Sequence, residues 1–367
     1  MSQFQKYLTK DKQKQKNLSD ILYYIVEKGE ATRREIERET GFSWGTVSES
    51  VSELLTRGYL REESASDKNV GRNSTVLKLN GENVYSLGLD INTTALTVCL
   101  IGFDLNVKWK KTVPFVAKTQ EEVLSHAQAL CAQGIEACPT GARLMGLGIA
   151  MQGQVDAASG ISYHFPNVGK WEAVNVKAMF EERFELPVTV DHDPKCLLFA
   201  RTVRNKLRDG ILLRIDNGIG LSVIQNGSIL DDCGRMEIGH TVVVPNGERC
   251  TCGRRGCLEA YASIRGLEER TGMTCEELLS TDDPTVFATA CEHLSLSMYN
   301  LCMLFAPQRI ILSGKLTESD CFVNALTARF EQWEGTEQTE LERASDLSAA
   351  FGAAVVAIRN MIRSNSI

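Results

Sequence analysis

The sequence predicts an α/β chain in two parts: a winged helix-turn-helix over residues 1–80, then a two-lobed, layered α/β body over residues 81–367. Three observations carry this expectation. Two short capped helical patterns, joined by a glycine turn, precede a pair of alternating strands. Beyond residue 84, strand patterns alternate with helical ones and turn at small residues. The chain has 367 residues, more than one hydrophobic core ordinarily organises.

In the head, residues 17–28 place Leu18, Ile21, Leu22, Ile25 and Val26 on one helical stripe, which Gly29 ends. Thr32, with Glu35 three positions on, is a capping-box pattern. It opens a second helix whose first turn carries Arg33. Gly41 breaks the chain, and Ser43 caps a third helix running to about Arg57. Val47, Val51, Leu54 and Leu55 form its inner face, while Trp44, Thr46 and Ser48 sit on its outer N-terminal face. Tyr59–Glu62 and Thr75–Leu79 alternate as a hairpin, and the polar loop between them carries Arg72 at the tip of a wing. In this plan the start of the second motif helix reaches base edges in the major groove. A wing arginine can enter a narrow minor groove. Arg33, Ser43, Trp44, Thr46, Ser48 and Arg72 are therefore candidate contacts to a double-stranded DNA operator.

Charge distribution agrees. The chain carries −7 overall, with +2 in residues 1–80 and −9 in the remainder. A mildly basic head on an acidic body suits DNA contact through the head alone. Glu49 and Glu53 on the reading helix oppose it. The competing reading of the head is a packing or dimerisation module.

The body contains VYSLGLDINTTALTVCLIGFD, two strands around a tight turn, and GARLMGLGIAMQGQVD, a buried strand followed by a glycine-containing loop. LPVTVDHDPKCLLFARTVR is a strand that enters a helix after Asp193. ILLRIDNGIGLSVIQNGSIL is a second pair of strands, and RIILSG a strand ending at a small-residue turn. No apolar run is long enough to span a bilayer, and the lysine-rich start has no apolar core of a secretory signal. A cytoplasmic protein without a membrane partner is expected. Its 12 cysteines should then be reduced thiols. Cys99, Cys131, Cys196, Cys291 and Cys302 lie in apolar patterns and read as core.

Cys250, Cys252 and Cys257 do not. With His240 ten residues upstream they offer one imidazole and three thiolates, a closed tetrahedral set suited to structural zinc. Cys250 and Cys252 are one residue apart, so their thiolates converge only if the chain leaves a regular strand. Gly253 and Gly256 allow that, and Arg249, Arg254 and Arg255 offset the thiolate charge. A redox thiol site is the competing reading, but no resolving pair accompanies it.

The stretches GLDINTTA, GLGIAMQGQVD, FPNVGKW, VDHDPK, NGIG, EIGHTVV and CTCGRRGCLEAYAS, and GAA in AAFGAAVVA, occur in this order. Together they resemble the ROK family of repressors and sugar kinases over nearly the whole chain. The winged head resembles the family's repressor branch. The resemblance implies an actin-like, hexokinase-like ATPase fold. Lobe one would span about 81–195 plus a C-terminal helix at about 349–367, and lobe two about 196–348 with the zinc site. It also implies that a sugar or sugar phosphate lies between the lobes, held by Gly153, Asn167, His192, Asp193, Glu237, His240 and Glu259. His240 would serve zinc with one ring nitrogen and sugar with the other. Where the family has Asn-Asp-Ala this chain has His192-Asp193-Pro194, so the sugar's identity does not carry over.

Asp193 matches the position of the family's catalytic base. The nucleotide loops depart. Asp-x-Gly-Gly-Thr-Lys is replaced by Asp90-Ile91-Asn92-Thr93-Thr94-Ala95, Gly-Thr-Gly by Asp216-Asn217-Gly218, and Gly-Gly by Ser313-Gly314-Lys315. A carboxylate about 4 Å from a phosphate costs on the order of 4 kcal/mol at an effective dielectric near ~20. The implied protein is a sugar-responsive transcriptional regulator, a repressor, with structural zinc, no ATP and no catalytic residue. As a DNA reader it is expected to be a homodimer or homotetramer. The alternatives are an ATP-dependent sugar kinase carrying a DNA-binding head, and a repressor controlled by a docked protein.

Overall fold

A computed structural model describes residues 10–64, 75–116, 118–205, 207–230, 236–344 and 347–364. The head comprises α1 (Lys10–Lys28), β1 (Glu30–Ala31), α2 (Arg33–Thr40), α3 (Trp44–Thr56), β2 (Leu60–Ser64) and β3 (Thr75–Leu79). The chain continues through β4 (Val84–Ile91), β5 (Ala95–Gly102), β6 (Val107–Pro114), α4 (Gln120–Glu136) and β7 (Arg143–Met151). Next come β8 (Gln154–Asp156), β9 (Ile161–His164), β10 (Val174–Asn175), α5 (Val176–Phe184), β11 (Val188–His192) and α6 (Asp193–Asn205). Then follow β12 (Gly210–Ile215), β13 (Ile219–Gln225), β14 (Ser228–Ile229), α7 (Glu259–Ala262), α8 (Ile264–Thr271), α9 (Cys275–Ser280) and α10 (Ala288–Phe305). The chain finishes with β15 (Arg309–Ser313), α11 (Asp320–Phe330), β16 (Glu340–Arg343) and α12 (Ala349–Arg363). Two compact units result: Met1–Cys196 with Ala349–Ile367, and Leu197–Ser348.

In the head, α1 is helical from Lys10 onward, so residues 10–16 of the polar lysine-rich segment belong to the helix. Leu18, Ile21, Leu22 and Ile25 are fully buried against α2 and α3. The capping box forms as its spacing predicts. Thr32 Oγ1 accepts from Glu35 N–H at 3.2 Å, and the Glu35 carboxylate accepts from Thr32 N–H at 2.7 Å. That reciprocal pair satisfies two otherwise orphaned donors. Gly41 closes α2 in the left-handed region (φ +70°), and Ser43 caps α3 by accepting from Thr46 N–H at 3.3 Å. The strands pair in the order β1-β3-β2. The wing tip, and Arg72 with it, lies outside the described residues.

The main sheet of unit one has the order β11-β7-β4-β5-β6, with β4, β7 and β11 parallel, β5 antiparallel to β4, and β6 antiparallel to β5. Side-chain alternation gives β4 and β7 two unlike faces. Leu87, Leu89, Leu147 and Ile149 pack in one core with Val123, Ala127, Leu130 and Cys131 of α4. On the other face Gly88 stands opposite Gly148, and α12 lies directly on this pair. A Cβ on Gly88 would fall 1.8 Å from the Ala350 carbonyl oxygen, and one on Gly148 would fall 1.9 Å from that of Ala353. The Ser86 hydroxyl donates to Ala354 O at 2.9 Å. A helix of small and branched residues, AAFGAAVVAIRNMIR, is what this approach requires.

Unit two repeats the plan. Its sheet runs β14-β13-β12-β15-β16, with β12, β15 and β16 parallel and β13 and β14 antiparallel. Leu213, Ile215, Leu258, Phe287, Leu294, Met298, Ile310, Leu312 and Phe322 form its core. The five cysteines read as core are all buried. Among the described residues no helix is long and apolar enough to cross a membrane.

Gly148→Ala should destabilise the protein by at least about 1–3 kcal/mol, because a methyl must displace backbone and not a mobile side chain. Gly169→Ala meets nothing within 4 Å and should stay within about 0.5 kcal/mol of the parent. Denaturant titration of both variants checks the contrast.

Candidate functional site

The head presents the first turns of α3. Trp44 is 49% exposed there, and Ser48 is partly exposed one turn on. Ser43 and Thr46 are engaged in capping, their hydroxyls 3.0 Å apart. Arg33 pairs with Glu62 at 2.7 Å. The two acids that oppose DNA are partly neutralised. Glu53 meets Lys14 at 2.5 Å and pairs with Arg57, and Glu49 lies 3.9 Å from Lys14. The hydrogen bond from Lys14 leads in holding Glu53 below the usual carboxylate range. The sequence reading missed Lys14, because its partner is 39 positions away in a different helix.

In unit one the register sets Ile91, Met151 and His192 side by side at the carboxyl ends of β4, β7 and β11. Such strand ends are where open α/β sheets bind ligands. His192 Nε2 stands 3.6 Å from Asp193 Oδ1, and Asp193 is buried in the first turn of α6. Beside it lies Asp191, which the sequence reading did not single out. Its carboxylate pairs with Lys195 at 3.1 Å and accepts from His192 N–H at 2.9 Å. Burial pushes the Asp191 carboxyl up, against the pull of Lys195. The i,i+4 spacing of Asp191 and Lys195 across the strand–helix junction was the available signal. Asn167 sits in the left-handed region (φ +62°) on the loop after β9. Gly153 has φ +87°, and a Cβ there would lie 2.1 Å from the His164 carbonyl oxygen, so the turn itself requires glycine.

The first nucleotide-loop stretch emerges at the same strand ends, and its backbone donors are already engaged. Thr93 N–H donates to Gln152 Oε1 at 3.1 Å, and Thr94 N–H to Asn92 Oδ1 at 3.1 Å. In unit two, Asp216 is not an isolated charge: Arg214 pairs with it at 3.2 Å. That pairing lowers the repulsion a lone carboxylate would exert on a phosphate. Lys315 is held by Glu318 at 2.5 Å.

Unit two also gathers His240, Cys250, Cys252 and Cys257, whose ligand atoms all lie within 4.8 Å of one another. His240 ends a short 3-10 turn (Ile238–His240) that Glu237 precedes. The chain folds back as the glycines predict, with Gly253 at φ +85° and Gly256 at φ +78°. Gly253 N–H bonds Cys250 O at 2.9 Å, and Cys250 N–H bonds Arg254 O at 2.9 Å. Cys250 Sγ is 3.6 Å from His240 Nδ1, and Cys252 Sγ is 3.7 Å from Cys257 Sγ. A tetrahedron with metal–sulfur bonds of about 2.3 Å and metal–nitrogen bonds of about 2.0 Å has edges of about 3.8 and about 3.5 Å. The four residues therefore fit a metal ion. Burial and the neighbouring thiols push Cys257 up to about 12. Burial also raises Cys252, but the Arg254 N–H and the adjacent thiols outweigh it and lower this thiol.

Glu259 opens α7 beside this loop. Its Oε2 accepts from Ile219 N–H at 3.2 Å, and the Thr251 hydroxyl donates to Oε1 at 3.4 Å. Gly218 and Gly239 both leave room for that carboxylate, since a Cβ would sit 2.8 and 3.2 Å from Oε2. Thr251, between two of the cysteines, links the metal loop to Glu259 and was also missed in the sequence. Glu237 and His240 thus lie beside Glu259 at the start of α7 in unit two, and in unit one His192 ends β11, Asp193 opens α6, and Asn167 and Gly153 lie on loops.

Comparison with known proteins agrees with this layout. The MarR family matches residues 19–68, and the ROK family matches residues 86–360. The Escherichia coli K12 DNA-binding transcriptional dual regulator NagC is 28% identical over 340 residues, covering 84% of this chain and 82% of that protein. The Bacillus subtilis xylose repressor is 25% identical over 330 residues, covering 83% and 84%. A crystal structure of a ROK family transcriptional regulator, a homologue of the E. coli MLC protein, superposes with a TM-score of 0.81 at 18% identity. It covers 96% of this chain and 97% of its own. A Streptomyces griseus ROK glucokinase solved with glucose and AMPPNP has a TM-score of 0.64 at 22% identity, over 75% of this chain and 99% of its own. With the ROK match running through both units, the chain belongs to the ROK family.

Proposed function

We propose that this protein is a sugar-responsive, DNA-binding transcriptional repressor whose kinase-like body serves as a sensor. One observation carries the reading: a winged helix-turn-helix with an outward-facing recognition helix is continuous with a complete ROK body. Repressor relatives are matched over both parts. The effector is a sugar or sugar phosphate. Asn167, His192 and Asp193 in unit one, and Glu237, His240 and Glu259 in unit two, supply paired acceptors and donors of the kind adjacent hydroxyls need. The body does not phosphorylate its sugar. In support, Asn92 and Gln152 already occupy first-loop N–H groups that a phosphate would need. As a reader of two half-sites it acts as a homodimer or homotetramer.

The metal is a structural zinc held by His240, Cys250, Cys252 and Cys257. The four protein ligands close the coordination shell, so zinc supplies rigidity and no reactive position. Nδ1 of His240 faces the cysteines, which leaves Nε2 for a sugar hydroxyl. Through Thr251 the same loop steadies Glu259.

Three outcomes test this. Metal analysis should find one zinc per chain, and Cys257→Ser should remove it and lower the midpoint of thermal unfolding; a metal-free parent of equal stability refutes the assignment. Trp44→Ala and Ser48→Ala should weaken binding to a duplex selected in vitro on this protein. Loss of a base contact is worth about 1–3 kcal/mol, or roughly 5–150-fold, read by fluorescence anisotropy. Asp193→Asn and Glu259→Gln each weaken a charged hydrogen bond to a hydroxyl, worth about 1.5–3 kcal/mol. Each should cost roughly 10–150-fold in affinity for whichever of N-acetylglucosamine, xylose or their phosphates shifts the parent's melting temperature. Sugar-free duplex binding should change less than about threefold. A coupled ATPase assay with the same sugars should stay at background, and turnover there would favour the kinase reading.

A further inference from the structure

Unit one contains a contact that ties the DNA-reading head to the sensor core. Arg359 of α12 is 9% exposed and donates to the Tyr23 hydroxyl of α1 at 2.6 Å. Its guanidinium also lies 5.4 Å from the Tyr23 ring centre. Arg363, one turn further along α12, approaches the same hydroxyl at 3.4 Å and the same ring at 5.6 Å. Two guanidinium groups thus share one phenol oxygen. A second contact lies elsewhere in the unit: Arg143, at the start of β7, donates to the fully buried Tyr59 at 2.7 Å.

The opposite end of α12 touches the Asp193 loop. A Cβ on Gly352 would fall 1.7 Å from the carbonyl oxygen of Cys196, in the first turn of α6, three residues beyond Asp193. Gly88 and Gly148 bring the Ala350 and Ala353 carbonyls equally close to the sheet. Contacts of backbone on backbone have no rotamers to absorb a shift, so movement of the first turn of α6 must move α12. Gly352 and Arg359 are two turns apart on one rigid helix, about 10.5 Å along its axis. From Tyr23 the path continues through α1, which packs on α3 and reaches it with Lys14 at Glu53.

We propose that Arg359 is the positioning residue through which the state of the Asp193 loop sets the orientation of α1, and hence of α3. The switch is local. The Tyr23 hydroxyl is within reach of both guanidinium groups, Arg359 at 2.6 Å and Arg363 at 3.4 Å, and small shifts of α12 change the balance between them. This inference rests on the reading of unit one as an effector-binding body joined to a DNA-binding head.

The test uses the full-length chain and four variants: Tyr23→Phe, Arg359→Met, Arg359→Lys and Arg363→Met. Binding of the in vitro selected duplex is measured by anisotropy with and without N-acetylglucosamine, xylose and their phosphates, the sugars named for the repressor relatives. In the parent, the responding sugar changes duplex affinity by roughly 5–150-fold, and the duplex changes sugar affinity by the same factor. Tyr23→Phe and Arg359→Met should bring both factors below about twofold. Affinity for each ligand alone should remain within about fivefold, and Arg359→Lys should recover part of the coupling. Hydrogen exchange gives a second readout: Tyr23→Phe should speed exchange of the α1 amides about tenfold and leave β4 and β7 unchanged. Full coupling in both Tyr23→Phe and Arg359→Met overturns the proposal. If no sugar shifts duplex binding in the parent, the functional reading fails. The clamp is then decided by exchange alone, and unchanged α1 amides overturn it.

Discussion

The approach of α12 to the sheet of unit one is the constraint on which the rest of that unit depends. Leu87, Leu89, Leu147 and Ile149 belong to one face of β4 and β7, and Gly88 and Gly148 to the other. A slip of one residue in either strand would put leucine under the helix and glycine in the α4 core. Register, helix distance and helix composition therefore specify one another. Phe351, Val355, Ile358 and Ile362 are buried along α12, each worth about 1.5–3 kcal/mol. Because α12 also abuts Cys196 and Tyr23, the same packing fixes the start of α6 and the seat of the head.

At the strand ends of unit one, side-chain oxygens accept from the N–H groups of the loop after β4. Glycine loops hold phosphate because their N–H groups face outward unobstructed. Here Gln152 and Asn92 supply acceptor oxygens to the Thr93 and Thr94 N–H groups from within the protein. Carboxylates are treated in the opposite way. Glu259 is cradled by two glycines and two donors, and Asp193 is buried beside an imidazole. The cysteine loop reaches one of these positions through the Thr251 hydroxyl.

What the sequence made legible was local. The Thr32–Glu35 box, the left-handed Gly41, the strand-to-helix turn at Asp193 and the folded-back cysteine loop all follow from residues a few positions apart, and each is found where expected. The head's first helix was read too short, because a run of lysines and glutamines has no apolar stripe; its N-terminal turns are held by Lys14 reaching Glu53. Asp191–Lys195, Thr251–Glu259 and the glycine pair under α12 escaped notice for a common reason. The first two pairs are close in sequence, but what each does depends on strand register and loop convergence, which the sequence does not display. Tyr23 and Arg359 are 336 positions apart, and nothing in either neighbourhood announces the other.

The return of α12 to unit one has a consequence for biosynthesis. The glycine face of β4 and β7 is complete once Met151 has been made, but its cover arrives only after unit two, about 150 residues past Cys196, has been translated. From Met151 to the end of α12 at Arg363, at about 5–20 residues per second, that is an interval of roughly 11–42 s. During it, unit two can fold as an uninterrupted segment, while unit one waits with an unroofed sheet. Nascent chains stalled within unit two would carry a finished recognition helix on an unfinished body, open to chaperones and proteases. The head can meet the early body through Tyr59 and Arg143, but its Tyr23–Arg359 contact forms last, an ordering imposed by chain connectivity alone.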